Sequence, residues 1–111
     1  MNLKQNKYLA DIIESIACID EFTGETKLYS LYNASKIMQA AVERHIEIIG
    51  EATKHLLEIR PDIAITNARK IINTRNKIAH GYDDIENSEI WNIIINYLPN
   101  LKAEVEKLLS E

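Results

Sequence analysis

The chain has 111 residues, with 13 Lys and Arg against 17 Asp and Glu, and a net charge of -4. Apolar residues at 46% and charged residues at 27% suit a packed globular protein and exclude a disordered one. A single cysteine, Cys18, excludes an internal disulfide framework and a cysteine-rich zinc site.

The length suits one domain over residues 1–111. Only 3 Gly and 2 Pro punctuate the chain, too few for many short strands, so long helices are the first expectation. No stretch reaches the ~18 apolar residues of a membrane span. Asp11 interrupts the first apolar run too early for a secretion signal, and the expected compartment is a reducing cytoplasm.

The first helix is predicted over Leu3–Ile19. Leu9, Ile12, Ile13, Ile16 and Ile19 recur there at three and four residues, and Gly24 follows to turn the chain. A short helical turn is expected over Lys27–Tyr32. The second long helix is predicted over Ala34–Ile59, capped by Asn33 or Ser35 and stopped before Pro61. Its apolar positions, from Ile37 through Val42, Ile46 and Ile49 to Leu57, spread beyond one stripe. Such a helix is central, or faces a second subunit. Gly50 inside it costs about 1 kcal/mol relative to Ala, which points to a close helix crossing.

The third helix is predicted over Asn67–His80, ending at Gly81. A fourth begins after a cap at Asn87 or Ser88. Its residues Trp91, Ile94, Leu98, Leu101, Val105 and Leu108 form a heptad seam, with Pro99 expected to kink it. The expected architecture is all-α, an up-and-down bundle of four main helices.

Charge is uneven along the chain. Between residues 60 and 82, five cations face one acid, a net of +4; the remainder holds 8 cations and 16 acids, a net of -8. The informative stretch lies in that cationic segment: Arg75-Asn76-Lys77-Ile78-Ala79-His80-Gly81-Tyr82. On a helix at about 100° per residue, Ala68, Ile71, Ile72, Ile78 and Ala79 form an apolar arc with Arg75 at its middle. Arg69, Asn73, Asn76 and His80 form a separate polar stripe.

An unpaired guanidinium inside an apolar arc is strongly unfavourable. Arg75 therefore either pairs with a carboxylate of the second helix, Glu51 or Glu47, or lines a cleft where it meets phosphate. His80 at a helix end either interacts with the last carbonyls or transfers protons near neutrality. Tyr82, one residue past Gly81, either packs over the helix end or presents its hydroxyl from a loop. His45 and His55 lie ten residues apart, not the four of a helical metal pair, so no metal site and no cofactor are expected.

The Arg75…His80…Tyr82 pattern resembles the signature of the HepT-like ribonuclease toxins of the HEPN superfamily. The block Ala41-Val42-Glu43-Arg44-His45-Ile46-Glu47-Ile48-Ile49-Gly50-Glu51-Ala52 resembles that family's long helix, and Ile90-Trp91 with Leu98-Pro99-Asn100-Leu101 resembles a third block. The family often carries Pro-Trp shortly before the motif helix, where this chain has Pro61-Asp62.

The resemblance implies a HEPN-like bundle that forms a homodimer, with two motifs facing one cleft. It implies a toxin of a type II toxin-antitoxin system that cleaves RNA without metal, leaving a cyclic phosphate. In that scheme Arg75 and His80 are catalytic and Asn76 supports them. It also implies an antitoxin partner, a nucleotidyltransferase of the MntA type, that adenylylates Tyr82. Two rival expectations are a non-catalytic helical interaction module and an RNA- or nucleotide-binding module without turnover.

Overall fold

The structure is a computed structural model describing residues 2–81 and 85–111. Six α-helices follow one another: α1 (Leu3–Thr23), α2 (Tyr29–Ala34), α3 (Lys36–Ile59), α4 (Ala68–Ala79), α5 (Asn87–Asn92) and α6 (Leu98–Leu109). A π-helical turn, Ile93–Tyr97, joins α5 to α6 into one rod, and no strand occurs among the described residues. The all-α expectation holds.

Helix ends follow local chemistry. The Asn2 side chain accepts a hydrogen bond from Gln5 N and starts α1; Ser35, not Asn33, caps α3 by accepting from Met38 N. Gly24 at φ +75° and Gly81 at φ +64° close α1 and α4, conformations that cost other residues more. Helix α1 runs four residues beyond the predicted Ile19, because the Thr23 hydroxyl donates back to the Ile19 carbonyl and Gly24 N donates to Asp20 O. The short helix lies two residues later than expected, at Tyr29–Ala34. Neither Asn87 nor Ser88 caps α5; Glu86 stands at that position and its side chain makes no capping bond to the helix backbone, accepting instead from the Ser88 hydroxyl.

Helix α3 is central, packing on α1 along one side and on α4 along another, while α6 lies against α1. Its face toward the core buries Val42, Ile46, Ile49, Ala52 and Leu56, which meet Leu9, Ile12, Ile16 and Ile19 of α1 and Leu98, Leu101, Val105 and Leu108 of the rod. Burial of that apolar surface is the main stabilising term.

Pro99 does not kink the rod in the expected way. A wide turn ends where Leu98 N donates to Ile93 O, and Pro99 then sits in the first turn of α6, where its missing N–H costs nothing. The predicted seam is buried from Ile94 to Leu108; at the wide turn Ile90 and Ile93 join it in the core, and Trp91 is only partly buried. Trp91 packs instead on Tyr29 and Tyr32 of α2, ring centroids 5.7 and 5.4 Å away. Tyr32 is fully buried, and among the described residues its hydroxyl has no hydrogen-bond partner. Burial first, then Glu43 and Tyr29, push that phenol well above its ordinary value of 10.0.

The loop entering α4 is pinned to α6. Thr66 donates through its N–H and its hydroxyl to the Glu104 carboxylate, the hydroxyl bond at 2.6 Å. Lys77 of α4 reaches Glu89 of α5 at 3.2 Å. These contacts fix both ends of the helix that carries Arg75.

Candidate active site

The expected close crossing exists. A Cβ added at Gly50 would overlap the Cβ of Arg75, lie 2.6 Å from its Cγ and reach 3.4 Å from the Ile71 carbonyl oxygen. Helix α4 therefore sits down on α3 at Gly50, and the stem of Arg75 runs over the glycine. This is why an arginine occurs in the apolar arc: its first carbons pack as an apolar residue, and its guanidinium continues past the crossing.

At the far end Arg75 Nη2 lies 2.7 Å from Glu51 Oε2, and Nη1 donates to Asn76 Oδ1 at 3.0 Å. Of the two carboxylates considered from the sequence, Glu51 is the partner and Glu47 is not. The ion pair is close but not aligned as a hydrogen bond: among the described residues Glu51 Oε2 and the buried Arg75 Nε have no hydrogen-bonding partner. An unaligned pair holds the cation electrostatically and leaves donor capacity for another anion.

Glu51 carries a second contact that sequence reasoning missed. Its Oε1 lies 3.1 Å from His55 Nε2, and the His55 ring stacks on Tyr8 of α1, centroids 4.9 Å apart and planes within 14°. The Glu51–His55 spacing of four was visible in the sequence; Tyr8, arriving from another helix, left no local signal. These residues, with Asp11, Glu47 and Arg44, surround a cleft of about 250 Å³ on one side of Arg75.

Asn76 lines a second depression, on the other side of α4. Its side-chain oxygen accepts from Arg75 Nη1. His80 is exposed and occupies the C-cap of α4, its N–H donating to Asn76 O. Ala79, placed on the apolar arc by the helical wheel, is exposed, because the wheel turns away from α3 before the helix ends. Tyr82 lies outside the described residues. His45 serves packing: Nδ1 is 3.1 Å from Ser15 Oγ, and its ring lies against Phe22. Among the described residues no group of three His, Cys, Asp or Glu could hold a metal ion.

On one helix Arg75 and His80 are separated by about 140° of rotation, since five residues advance the wheel by that angle. Arg75 thus lies on the α3 side of α4, and the His80 imidazole stands at the helix end.

This arrangement coincides with a family match. The model of the family described as "Ribonuclease HepT-like" matches residues 12–108. The chain belongs to the HepT-like ribonuclease family. Over 97% of its length it is 34% identical to the protein named "Probable ribonuclease HepT" of Thermococcus cleftensis, covering 98% of that protein. Two Methanocaldococcus jannaschii proteins are also similar. One named "Putative RNase" is 32% identical over 94% of this chain and 86% of its own. The other, named "Gamma-glutamylcyclotransferase and putative RNase", is 34% identical, and the match spans 47% of that longer protein. No solved structure matches the chain. In this HepT-like chain the family's Arg–His–Tyr pattern falls on the helix that crosses α3 at Gly50 and on the segment just after it.

Proposed function

We infer that the chain is a metal-independent endoribonuclease whose site is completed by a second copy. The observation that carries this reading is Arg75, held over Gly50 between Glu51 and Asn76, five residues before His80 in a HepT-like chain. The ribose 2′-oxygen attacks the adjacent phosphorus as its proton passes to a base. The bond to the 5′-oxygen breaks, and that oxygen takes a proton from an acid. The products are a 2′,3′-cyclic phosphate and a free 5′-hydroxyl. His80 serves as base or acid, and its copy in the second protomer takes the other role. Arg75 stabilises the charge growing on the phosphate oxygens, and Asn76 orients the guanidinium. DNA, which lacks the 2′-hydroxyl, is not cleaved.

The same reading makes the protein the toxin of a type II toxin-antitoxin pair. An MntA-type nucleotidyltransferase transfers AMP from ATP to the Tyr82 oxygen, releasing pyrophosphate. The added phosphate pairs with nearby cations and obstructs the cleft.

The ion pair with Glu51 favours one rival, in which Arg75 only ties α4 to α3. Incubation of purified protein with single-stranded RNA, in EDTA, separates the two. Cleavage with a cyclic phosphate end is expected, lowered at least the ~100-fold typical of a missing acid-base group by His80→Ala, with helicity retained. Wild-type rates in His80→Ala sink the mechanism. Intact mass after incubation with the cognate nucleotidyltransferase and ATP should show AMP added to wild type and none to Tyr82→Phe.

A further inference from the structure

Arg75 lines the cleft on the Tyr8 side, and a second depression of opposite charge character lies near it between α3 and α4. The cleft on the Tyr8 side holds Asp11, Glu47 and Glu51 against Arg44 and Arg75 itself. The groove on the other side, between α3 and α4, has Lys54 on one wall and Arg69 on the other, with Asn73 and Asn76 along its floor and Glu58 as its one acid. Among the described residues neither Lys54 nor Arg69 is within ion-pair distance of any carboxylate. By contrast Arg60, Arg75 and Lys77 are paired with Asp62, Glu51 and Glu89. The cationic character of the 60–82 segment is therefore partly spent inside the fold, and what remains is concentrated in this groove and at neighbouring Lys70.

We propose that the groove between Lys54 and Arg69 carries the sugar-phosphate backbone of single-stranded RNA toward Arg75, and that the acidic Tyr8-side cleft does not. The proposal rests on the ribonuclease reading and assigns the substrate's path within it. Two exposed cations without carboxylate partners offer their full charge to phosphates. The Asn73 side chain adds a neutral donor and acceptor suited to phosphate or 2′-hydroxyl oxygens. Asn76 belongs to the groove and also accepts from Arg75 Nη1, so a strand lying there is joined to the guanidinium through Asn76. On the opposite side Asp11 is paired with Lys7 and Glu51 with Arg75, and among the described residues Glu47 is the cleft carboxylate left to repel a polyanion.

The probe is a fluorescently labelled single-stranded 2′-O-methyl RNA, which has no free nucleophile and stays intact. Its affinity for the full-length protein is measured by anisotropy across potassium chloride concentrations. Lys54→Glu with Arg69→Glu should weaken binding at least tenfold at low salt. The neutral pair Lys54→Gln with Arg69→Gln should lower the salt slope by about 1.4, since each single-strand phosphate contact contributes about 0.7. Arg44→Glu, across Arg75 on the acidic side, should leave affinity within twofold. All three variants change exposed residues, and circular dichroism confirms their helicity. An unchanged slope in the neutral pair, an Arg44→Glu effect as large as the groove variant's, or no binding by wild type overturns the proposal. Cleavage of unmodified RNA is measured in parallel. A wild type that binds through the groove but does not cleave overturns the nuclease reading alone; one that cleaves with no groove effect overturns the groove alone.

Discussion

At the scale of single residues, the site depends on a missing side chain. Gly50 lets α4 approach until the Arg75 stem occupies the space a Cβ would need. Gly50→Ala should destabilise the protein by about 1–3 kcal/mol, the usual cost of forcing a methyl into a packed contact, despite alanine's better helix propensity. Thermal unfolding checks this, and a rise in Tm would contradict the crossing. Much of this was legible beforehand: a glycine inside a strong helix and an arginine inside an apolar arc each demanded an explanation, and the two explanations are the same contact. The partner carboxylate was narrowed only to Glu47 or Glu51, because choosing between them needs the depth at which α4 lies along α3. The Tyr8–His55 stack was not legible, since nothing local joins residues 47 positions apart.

The end of α4 before Gly81 was legible and Ser35 was one of the two caps considered for α3, whereas α1 runs four residues past its predicted end to Gly24. The α5–α6 rod was read as one heptad seam; five of its six residues, Ile94 to Leu108, are buried, and the wide turn before Pro99 adds Ile90 and Ile93 and leaves Trp91 partly buried. Sequence spacing alone cannot show a change of helical period. Helix α3 also carries a like-charged pair, Glu43 and Glu47, at four-residue spacing on one face. Burial first, then Glu47, raises the Glu43 carboxyl above its ordinary value of 4.5. The sign follows: the folded state binds this proton more tightly than the unfolded chain. Ionised Glu43 therefore costs stability at neutral pH, and the cost fades as pH falls through the raised value. Glu43→Gln should stabilise the fold at pH 7 by about 0.2–0.5 kcal/mol, the size of a like-charge helix pair. The advantage over wild type should vanish below pH 4.5. Paired urea melts at the two pH values measure it; an advantage that grows in acid contradicts it.

For the whole molecule, the α3-centred arrangement leaves large apolar side chains outside. Ile37, beside the partly exposed Phe22, is 86% exposed, and Leu31 is 58% exposed. The proposed two-chain site requires association, and sedimentation at micromolar concentration should give twice the 12.7 kDa chain mass. A stable monomer would remove the composite site, since Arg75 and His80 point about 140° apart on one helix. Fold class and helix count were within reach of the sequence because helical periodicity is a property of each segment. The two-sided charge around Arg75 was not, because it depends on which α3 residues face α4.

The glycine contact has a further consequence for how this chain tolerates variation. In a saturating substitution library sorted once for folded protein and once for RNA cleavage, position 50 should be depleted in both pools. Positions 54 and 69 should be depleted in the second alone. Fold and chemistry are inherited together at one backbone crossing and separately everywhere along the groove beside it.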